Sequence, residues 1–320
     1  MIRTAVVGVG YLGRFHAQKY ASLPNSHLVG VADPSAKART AVAAELGVAA
    51  YADYRELLGH VDAVSVVTPT PLHFEVAKDF LDAGASVLVE KPMTVTVEEG
   101  QSLIDLARRA NRVLQVGHLE RFNAAVLAVQ PTLTVPRFIE SARLAPFKYR
   151  GTDVDVVLDL MIHDIDLILS IVRSPVVAVD AIGTSVFSRE VDIANARLRF
   201  ANGCVANATA SRVSLKTERK LRVFQDDAYI SVDLQQKVLT VIRKGQGVGA
   251  DGVPQVAIEE NSYEQGDALK DEIVAFLESA TTGRAPQVGG EDGLLALRTA
   301  VTIAEQVANS RRQFATADST

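Results

Sequence analysis

The chain has 320 residues, 48% of them hydrophobic and 22% charged, with a net charge of −5. That length suits two domains, the apolar share excludes a disordered chain, and the acidic balance excludes binding to a nucleic-acid backbone. A single cysteine, Cys204, excludes a disulfide framework and a cysteine metal centre, and it fits a cytoplasmic setting.

No apolar run is long enough for a membrane span, and MIRTAVVGVGYLG at the start reads as a strand and a turn rather than a leader. Short Val-rich runs predict strands at Thr4–Gly8, Leu28–Ala32, Ala63–Val67, Ser86–Val89 and Val113–Val116. Helical patterns fall between them, near 12–22, 35–46, 72–83 and 96–110. Alternation of this kind predicts a doubly wound parallel sheet over residues 1–118, a Rossmann domain. The pattern changes in 119–320, where an α+β domain with a large, mostly antiparallel sheet is expected. A helix near 120–129, a strand in PTLTVPRFIESARL and a helix from about 154 to 172 come first. Strands follow at Val176–Phe187, Ile193–Phe200, Cys204–Val213, Lys220–Gln225, Tyr229–Asp233 and Val238–Ile242, several with one polar face. GQGVGADGVP (245–254) reads as a loop. Helices near 267–281 and 291–309 close the chain, one of them expected to pack back on the first domain, and residues 313–320 should fray.

Gly8-Val9-Gly10-Tyr11-Leu12-Gly13 has the spacing of a dinucleotide-binding turn. It follows a strand, opens a helix, and is trailed by Asp33 at the end of the next strand, which is the context the pattern requires. Gly8 permits the turn, Gly10 lets a pyrophosphate approach the backbone, and Gly13 lets helix and strand pack closely. Asp33 can accept hydrogen bonds from ribose hydroxyls and would repel a 2′-phosphate, so NAD is expected ahead of NADP. Lys37 and Arg39 work against that preference. The competing reading is a glycine turn kept for packing alone.

Two further loops end strands of the same sheet, where ligands of such sheets bind: Thr68-Pro69-Thr70-Pro71-Leu72-His73 and Glu90-Lys91-Pro92. Residues 158–168 raise a different question, since LDLMIHDIDLI is mostly apolar yet carries Asp159, His163, Asp164 and Asp166. At about 100° per residue, His163, Asp166 and Ser170 lie within about 40° of Asp159. One polar stripe on an otherwise apolar helix must face partners or a polar cavity. Histidine titrates near neutral pH, so His163 is the candidate general base, oriented by Asp159, with Lys91 holding the reacting oxygen. A buried Asp–His pair that satisfies only itself is the alternative. Asp164 and Asp166 are expected to cap or to pair with Arg173 or another basic residue.

These motifs, in this order and over essentially the whole chain, resemble the Gfo/Idh/MocA oxidoreductase family. The resemblance implies a catalytic set of Lys91, Asp159 and His163. It also implies cofactor contacts from Gly8, Gly10, Tyr11, Leu12, Gly13, Asp33, Thr68, Pro69, His73, Glu90 and Lys91. Gly117-His118-Leu119-Glu120-Arg121-Phe122-Asn123 and Leu158–Leu167 resemble the nucleotide-sugar branch, which implies oxidation of the 3-hydroxyl of UDP-N-acetylglucosamine or a related sugar, with an aminotransferase taking the product toward lipopolysaccharide. Arg121, Asn123, Lys148 and Tyr149 are candidate substrate contacts, although Arg121 reads equally as a helix-start salt bridge. The sequence departs from the family pattern at Met161, where glycine is frequent, and at Val156-Val157-Leu158. A dehydrogenase of free polyols such as inositols and a non-catalytic dinucleotide sensor are the other readings. No metal is expected, because neither His16 nor His118 has partners at ligand spacing. The alternation through Val205, Asn207, Thr209 and Ser211 leaves a sheet face expected to pair with another subunit as a homodimer or homotetramer.

Overall fold

The computed structural model describes residues 1–148, 154–248, 254–264 and 266–317. The expected tip of the 245–254 loop, Tyr149, Arg150 and the last three residues lie outside that set. In chain order the first elements are β1 (Ile2–Val7), α1 (Tyr11–Ser22), β2 (Ser26–Ala32), α2 (Ala36–Leu46), β3 (Ala49–Tyr51), β4 (Ala63–Val66), α3 (His73–Asp82), β5 (Ser86–Glu90), α4 (Val97–Ala110) and β6 (Leu114–Gly117). Then come α5 (Ala124–Val129), β7 (Pro136–Leu144), α6 (Ile162–Val172), β8 (Val176–Thr184), β9 (Ile193–Phe200), β10 (Val205–Ser211), β11 (Glu218–Gln225), β12 (Ala228–Asp233), β13 (Val238–Val248), β14 (Pro254–Ser262), α7 (Ala268–Thr282) and α8 (Gly290–Ala317).

Two compact units result. One comprises 1–119 with 267–297, the other 120–266 with 298–320. The first unit carries six parallel strands in the order β3-β2-β1-β4-β5-β6. Its strands are buried on both faces, as Ala63–Val66 and Leu114–Gly117 show at every position, and this is why they read as unbroken apolar runs. Local signals set the helix ends. Ser35 caps α2, a reciprocal Thr96–Glu99 capping box starts α4, and Asn111 ends α4 in the left-handed conformation. The short edge strand β3 was not foreseen. It lies close because Gly30 has no side chain: a Cβ there would sit 2.6 Å from the Tyr51 ring. Ile273, Phe276 and Leu277 of α7 join the core formed by Val6, Tyr20, Leu28 and Val31, so the chain returns late to complete the first unit.

The second unit is an eight-stranded sheet in the order β14-β13-β12-β11-β7-β10-β9-β8. Every pair is antiparallel except β7 with β10. Strand β9 alternates buried and exposed residues, with Ala194, Ala196, Leu198 and Phe200 turned inward. α5 and α6 lie against this sheet. β14 was missed, and β13 runs on into the expected loop.

Four long-range charges fix α6. Arg143 of β7, only 4% exposed, donates to both oxygens of Asp164 at 2.6 and 3.3 Å and to Glu120 at 3.0 Å. Arg121 donates to both oxygens of Asp166 at 2.7 and 2.9 Å. Arg173, the partner suggested by its position in the sequence, instead donates to the Ser170 carbonyl at the end of the helix. Removing one member of such a buried pair leaves a charge without its counter-ion. Asp164→Ala should therefore lower the free energy of unfolding by about 3–5 kcal/mol in urea titrations. Arg143→Met with Asp164→Leu should recover most of that loss, since Glu120 retains Arg219 nearby.

Candidate active site

In the first unit, α1 begins at the glycine turn. Gly8 has φ +84°, and a Cβ on it would lie 2.6 Å from the Val67 carbonyl oxygen. A Cβ on Gly13 would lie 1.8 Å from the Gly8 carbonyl oxygen. Both positions are therefore closed to other residues by packing. Gly10 differs: it has ordinary negative φ, and a Cβ there would meet nothing within 4 Å. Packing alone accounts for two of the three glycines and leaves Gly10 beside open space. The N-cap of α1 is Gly10, which has no side chain with which to cap the helix start.

Asp33 fixes the turn. Its carboxylate accepts from the Val9 N–H at 2.9 Å and from the Ser35 N–H at 2.8 Å. A cleft of 380 Å³ opens beside it, lined by Gly8, Asp33, Asp53, Tyr54, Thr68 and Leu72 among others. The buried Thr68 hydroxyl in its wall has no hydrogen-bond partner among the described residues. Arg39 donates to the carbonyls of Asp33 and Pro34 at 3.3 and 2.9 Å, and not to the Asp33 carboxylate.

His73 ties two loops together. Its ring nitrogens face the Thr68 carbonyl at 2.7 Å and the Pro92 carbonyl at 2.9 Å. Burial lowers its pKa, although both carbonyls and Glu90 push the other way. Pro69 is exposed at the loop's edge. Glu90 and Lys91 follow β5, and the peptide between Lys91 and Pro92 is cis. The Glu90 carboxylate accepts from the Lys91 N–H at 3.3 Å and faces the His16 ring at 3.1 Å.

In the second unit, α6 is preceded by a π-helical turn, Val157–Met161. Asp155 starts it by accepting from the N–H groups of Val157 and Leu158 at 2.7 and 3.0 Å. A π turn breaks the 100° rhythm, so a regular wheel does not describe Asp159 relative to His163. The lower stripe is satisfied: Asp166 is bound by Arg121, and the Ser170 hydroxyl donates to the Leu167 carbonyl at 2.7 Å. Asp159 keeps 36% of its side chain exposed, and a guanidinium nitrogen of Arg212 lies 3.9 Å away. Met161 is fully buried.

An oxidoreductase family with an NAD-binding Rossmann fold matches residues 2–118, and the GFO/IDH/MocA C-terminal domain matches 127–231. The UDP-N-acetylglucosamine 3-dehydrogenase of Acidithiobacillus ferrooxidans is 42% identical over 94% of this chain and 96% of its own. The chain belongs to the GFO/IDH/MocA oxidoreductase family. A solved structure of that Acidithiobacillus protein superposes with a TM-score of 0.91 at 41% identity, covering 96% of this chain and 97% of that one. A scyllo-inositol 2-dehydrogenase of Bacillus subtilis is 25% identical over 96% of this chain and 94% of its own.

An NAD-binding oxidoreductase must place a dinucleotide, and the first unit is built for one. The open space at Gly10, the glycine N-cap of α1, the Thr68 hydroxyl left unbonded among the described residues and the cleft at Asp33 all fit it. Tyr11 is 69% exposed at that helix start. Among the described residues no cluster of metal-binding side chains occurs, and no helix is long and apolar enough to cross a membrane.

The other candidates fall at separate places. The Asn123 side chain caps α5 and donates to the Leu234 carbonyl at 2.9 Å, so its amide is engaged within the second unit. Arg121 is engaged by Asp166, and Lys148 is exposed. Sequence reasoning passed over Arg212 and Arg143, because basic residues in strands or just past them read as surface, and no spacing rule links them to a helix 21 or more residues away. The glycine geometry gives a contrast. Gly10→Ala should leave the melting temperature unchanged and weaken dinucleotide binding at least tenfold by calorimetry. Gly13→Ala should cost about 3 kcal/mol or more of stability through overpacking.

Proposed function

We propose that the chain is an NAD-dependent dehydrogenase that oxidises the 3-hydroxyl of UDP-N-acetylglucosamine or a closely related nucleotide sugar. One observation carries this: the chain is 42% identical over 94% of its length to the Acidithiobacillus enzyme, against 24–26% over 92–97% of its length to three inositol dehydrogenases. One fold serves many substrates in such families, so likeness extending through both units weighs more than the fold.

When bound, the dinucleotide supplies the acceptor for the hydride that leaves the sugar carbon. The hydroxyl must lose its proton at the same time, and His163 takes it as general base. Asp159, four residues earlier, orients the imidazole and keeps the proton-bearing form favourable. Lys91 holds the reacting oxygen and steadies the negative charge growing on it. Arg121 and Asn123 serve by holding α6 and α5 in place, and Lys148 and Tyr149 are left as contacts for the substrate's phosphates. Asp33 favours NAD over NADP, because its carboxylate accepts ribose hydroxyls and repels a 2′-phosphate. The product is a 3-keto sugar, which is chemically fit for an aminotransferase and so for synthesis of 3-amino sugars in lipopolysaccharide.

The assay is direct. With purified protein, NAD and UDP-N-acetylglucosamine should give reduced-nicotinamide absorbance and a product two mass units lighter. NADP should serve less well, and inositols and free sugars should give no signal. His163→Ala should lower kcat by about 10² to 10⁴ while dinucleotide affinity holds. Turnover of inositols alone would move the function to free polyols.

The polar face of the second sheet is proposed as the self-association surface. Across it Asn195 bonds Thr209 at 2.8 Å, Arg197 bonds Asn207 at 3.1 Å, and Arg222 reaches Glu140 at 3.4 Å. Ser211 does not share it: its side chain is buried. Exposed Val177 and Ile182 lie on one edge strand of the sheet and Val256 and Ile258 on the other. A self-complementary pairing would cover all of these at once. Sedimentation at micromolar concentration should give a dimer or tetramer, and Thr209→Arg should shift it toward monomer.

A further inference from the structure

The first unit contains a buried chain of polar groups that the proposed chemistry does not use. His16 of α1 is completely buried. Its Nδ1 lies 3.1 Å from the Ser65 hydroxyl of β4, which in turn lies 2.8 Å from the Tyr20 hydroxyl. Its Nε2 lies 3.1 Å from one oxygen of Glu90, and the other oxygen accepts the Lys91 N–H. Gly117 on the neighbouring strand leaves room for this carboxylate: a Cβ there would lie 2.8 Å from it. Close enough to feel the Glu90 charge is Glu272 of α7, fully buried, with neither carboxyl oxygen bonded among the described residues. Its backbone carbonyl accepts from Gln115 at 3.2 Å.

Two carboxyls placed together in an apolar interior do not both ionise. Burial raises the pKa of Glu90, but the His16 hydrogen bond and the charges of His16 and Lys91 outweigh it and hold the carboxyl below its ordinary range. Glu272 has no such help. Burial first and the Glu90 charge second push it well above the carboxylate range, so it remains protonated. The titratable groups that face Glu90 are His16 from α1, His73 from α3, Glu272 from α7, and Lys91 beside it in the chain. Tyr20, also from α1, faces Glu272, and burial keeps it protonated too.

We propose that His16 and Glu90 are positioning residues for Lys91: His16 grips the carboxylate from the buried side, and the fixed carboxylate sets where the ammonium lies and how firmly it holds its proton. The pair gives the lysine one nearby negative charge, which a neutral Glu272 does not double. This rests on the reading of Lys91 as the residue that holds the reacting oxygen. It concerns the lysine itself, so it can be measured without turnover.

The test is isotope-coded acetylation of the intact protein across pH 7 to 11, with Lys91 read by mass spectrometry. In Glu90→Gln and His16→Leu the Lys91 midpoint should fall by about one pH unit, because the opposite charge is removed or released. His16→Gln, which can still donate to Glu90, should restore most of the wild-type midpoint and serves if His16→Leu does not fold. Glu272→Gln should leave the midpoint unmoved. It should also raise the melting temperature by an amount that grows as the pH rises above the ordinary carboxylate range. A carboxyl whose folded pKa is raised contributes most below its unfolded pKa of about 4.3 and loses that contribution as pH rises, and the amide loses nothing. A Lys91 midpoint unmoved in both Glu90→Gln and His16→Leu would overturn the proposal, as would one moved equally by Glu272→Gln. Lys91→Ala separates this from the functional reading. If it retains turnover, the assignment of Lys91 falls, whereas the labelling result alone decides the role of His16.

Discussion

A charge withdrawn from water must find an opposite charge, and much of this molecule is arranged around that demand. In the second unit two carboxylates of α6 lie in an apolar interior, each with an arginine carried from elsewhere in the chain. Arg143 reaches Asp164 from β7 and also takes Glu120, so one guanidinium joins the sheet, the helix and the segment before α5. These pairs cost desolvation and add little net stability over an apolar replacement, but they admit only one rotation of α6. That rotation fixes which side of the helix His163 occupies.

The first unit meets the same demand differently. Its buried carboxylate, Glu90, is answered by a histidine and a lysine, while Glu272 has no hydrogen-bond partner for its carboxyl among the described residues and is held toward the neutral form. Where the second unit uses rigid guanidinium forks, the first uses an imidazole and an ammonium. The difference suits their tasks. A helix needs one orientation at all pH values, whereas a lysine that holds a growing negative charge needs a defined proton affinity.

Much of the fold was legible because its signals are local. The parallel sheet announced itself through apolar runs broken by helical patterns, and the antiparallel sheet through alternation as in Ile193–Phe200. The glycine turn was legible with its reasons, since Gly8 and Gly13 are closed by packing and Gly10 is not. What escaped was decided at a distance. β3 is three residues long and depends on Gly30, and β14 carries charge and polarity on an exposed edge. The partners of Asp164 and Asp166 lie 21 and 45 residues away in sequence, beyond any helical wheel. The wheel itself failed at Val157–Met161, because nothing in a short apolar run distinguishes a π turn from an α turn.

That π turn bears on how substrate range and chemistry can change separately. Asp159 sits within it, and its place is set from three sides: Asp155 caps the turn, the Val156 N–H donates to the Val191 carbonyl at 3.0 Å, and Arg212 donates to the Val154 carbonyl at 2.6 Å. His163 sits beyond it, on regular helix held by the two arginine pairs. The proposed base and the carboxylate that orients it are thus anchored by different devices. Changes in the loops holding Val154 and Val156 can move Asp159 without turning the helix, whereas changes at Arg121 or Arg143 turn the helix and carry the base with it. Val156-Val157-Leu158, where the sequence departs from the pattern it resembles, belong to the first anchor, so substrate differences are expected to arise there and to leave the second intact.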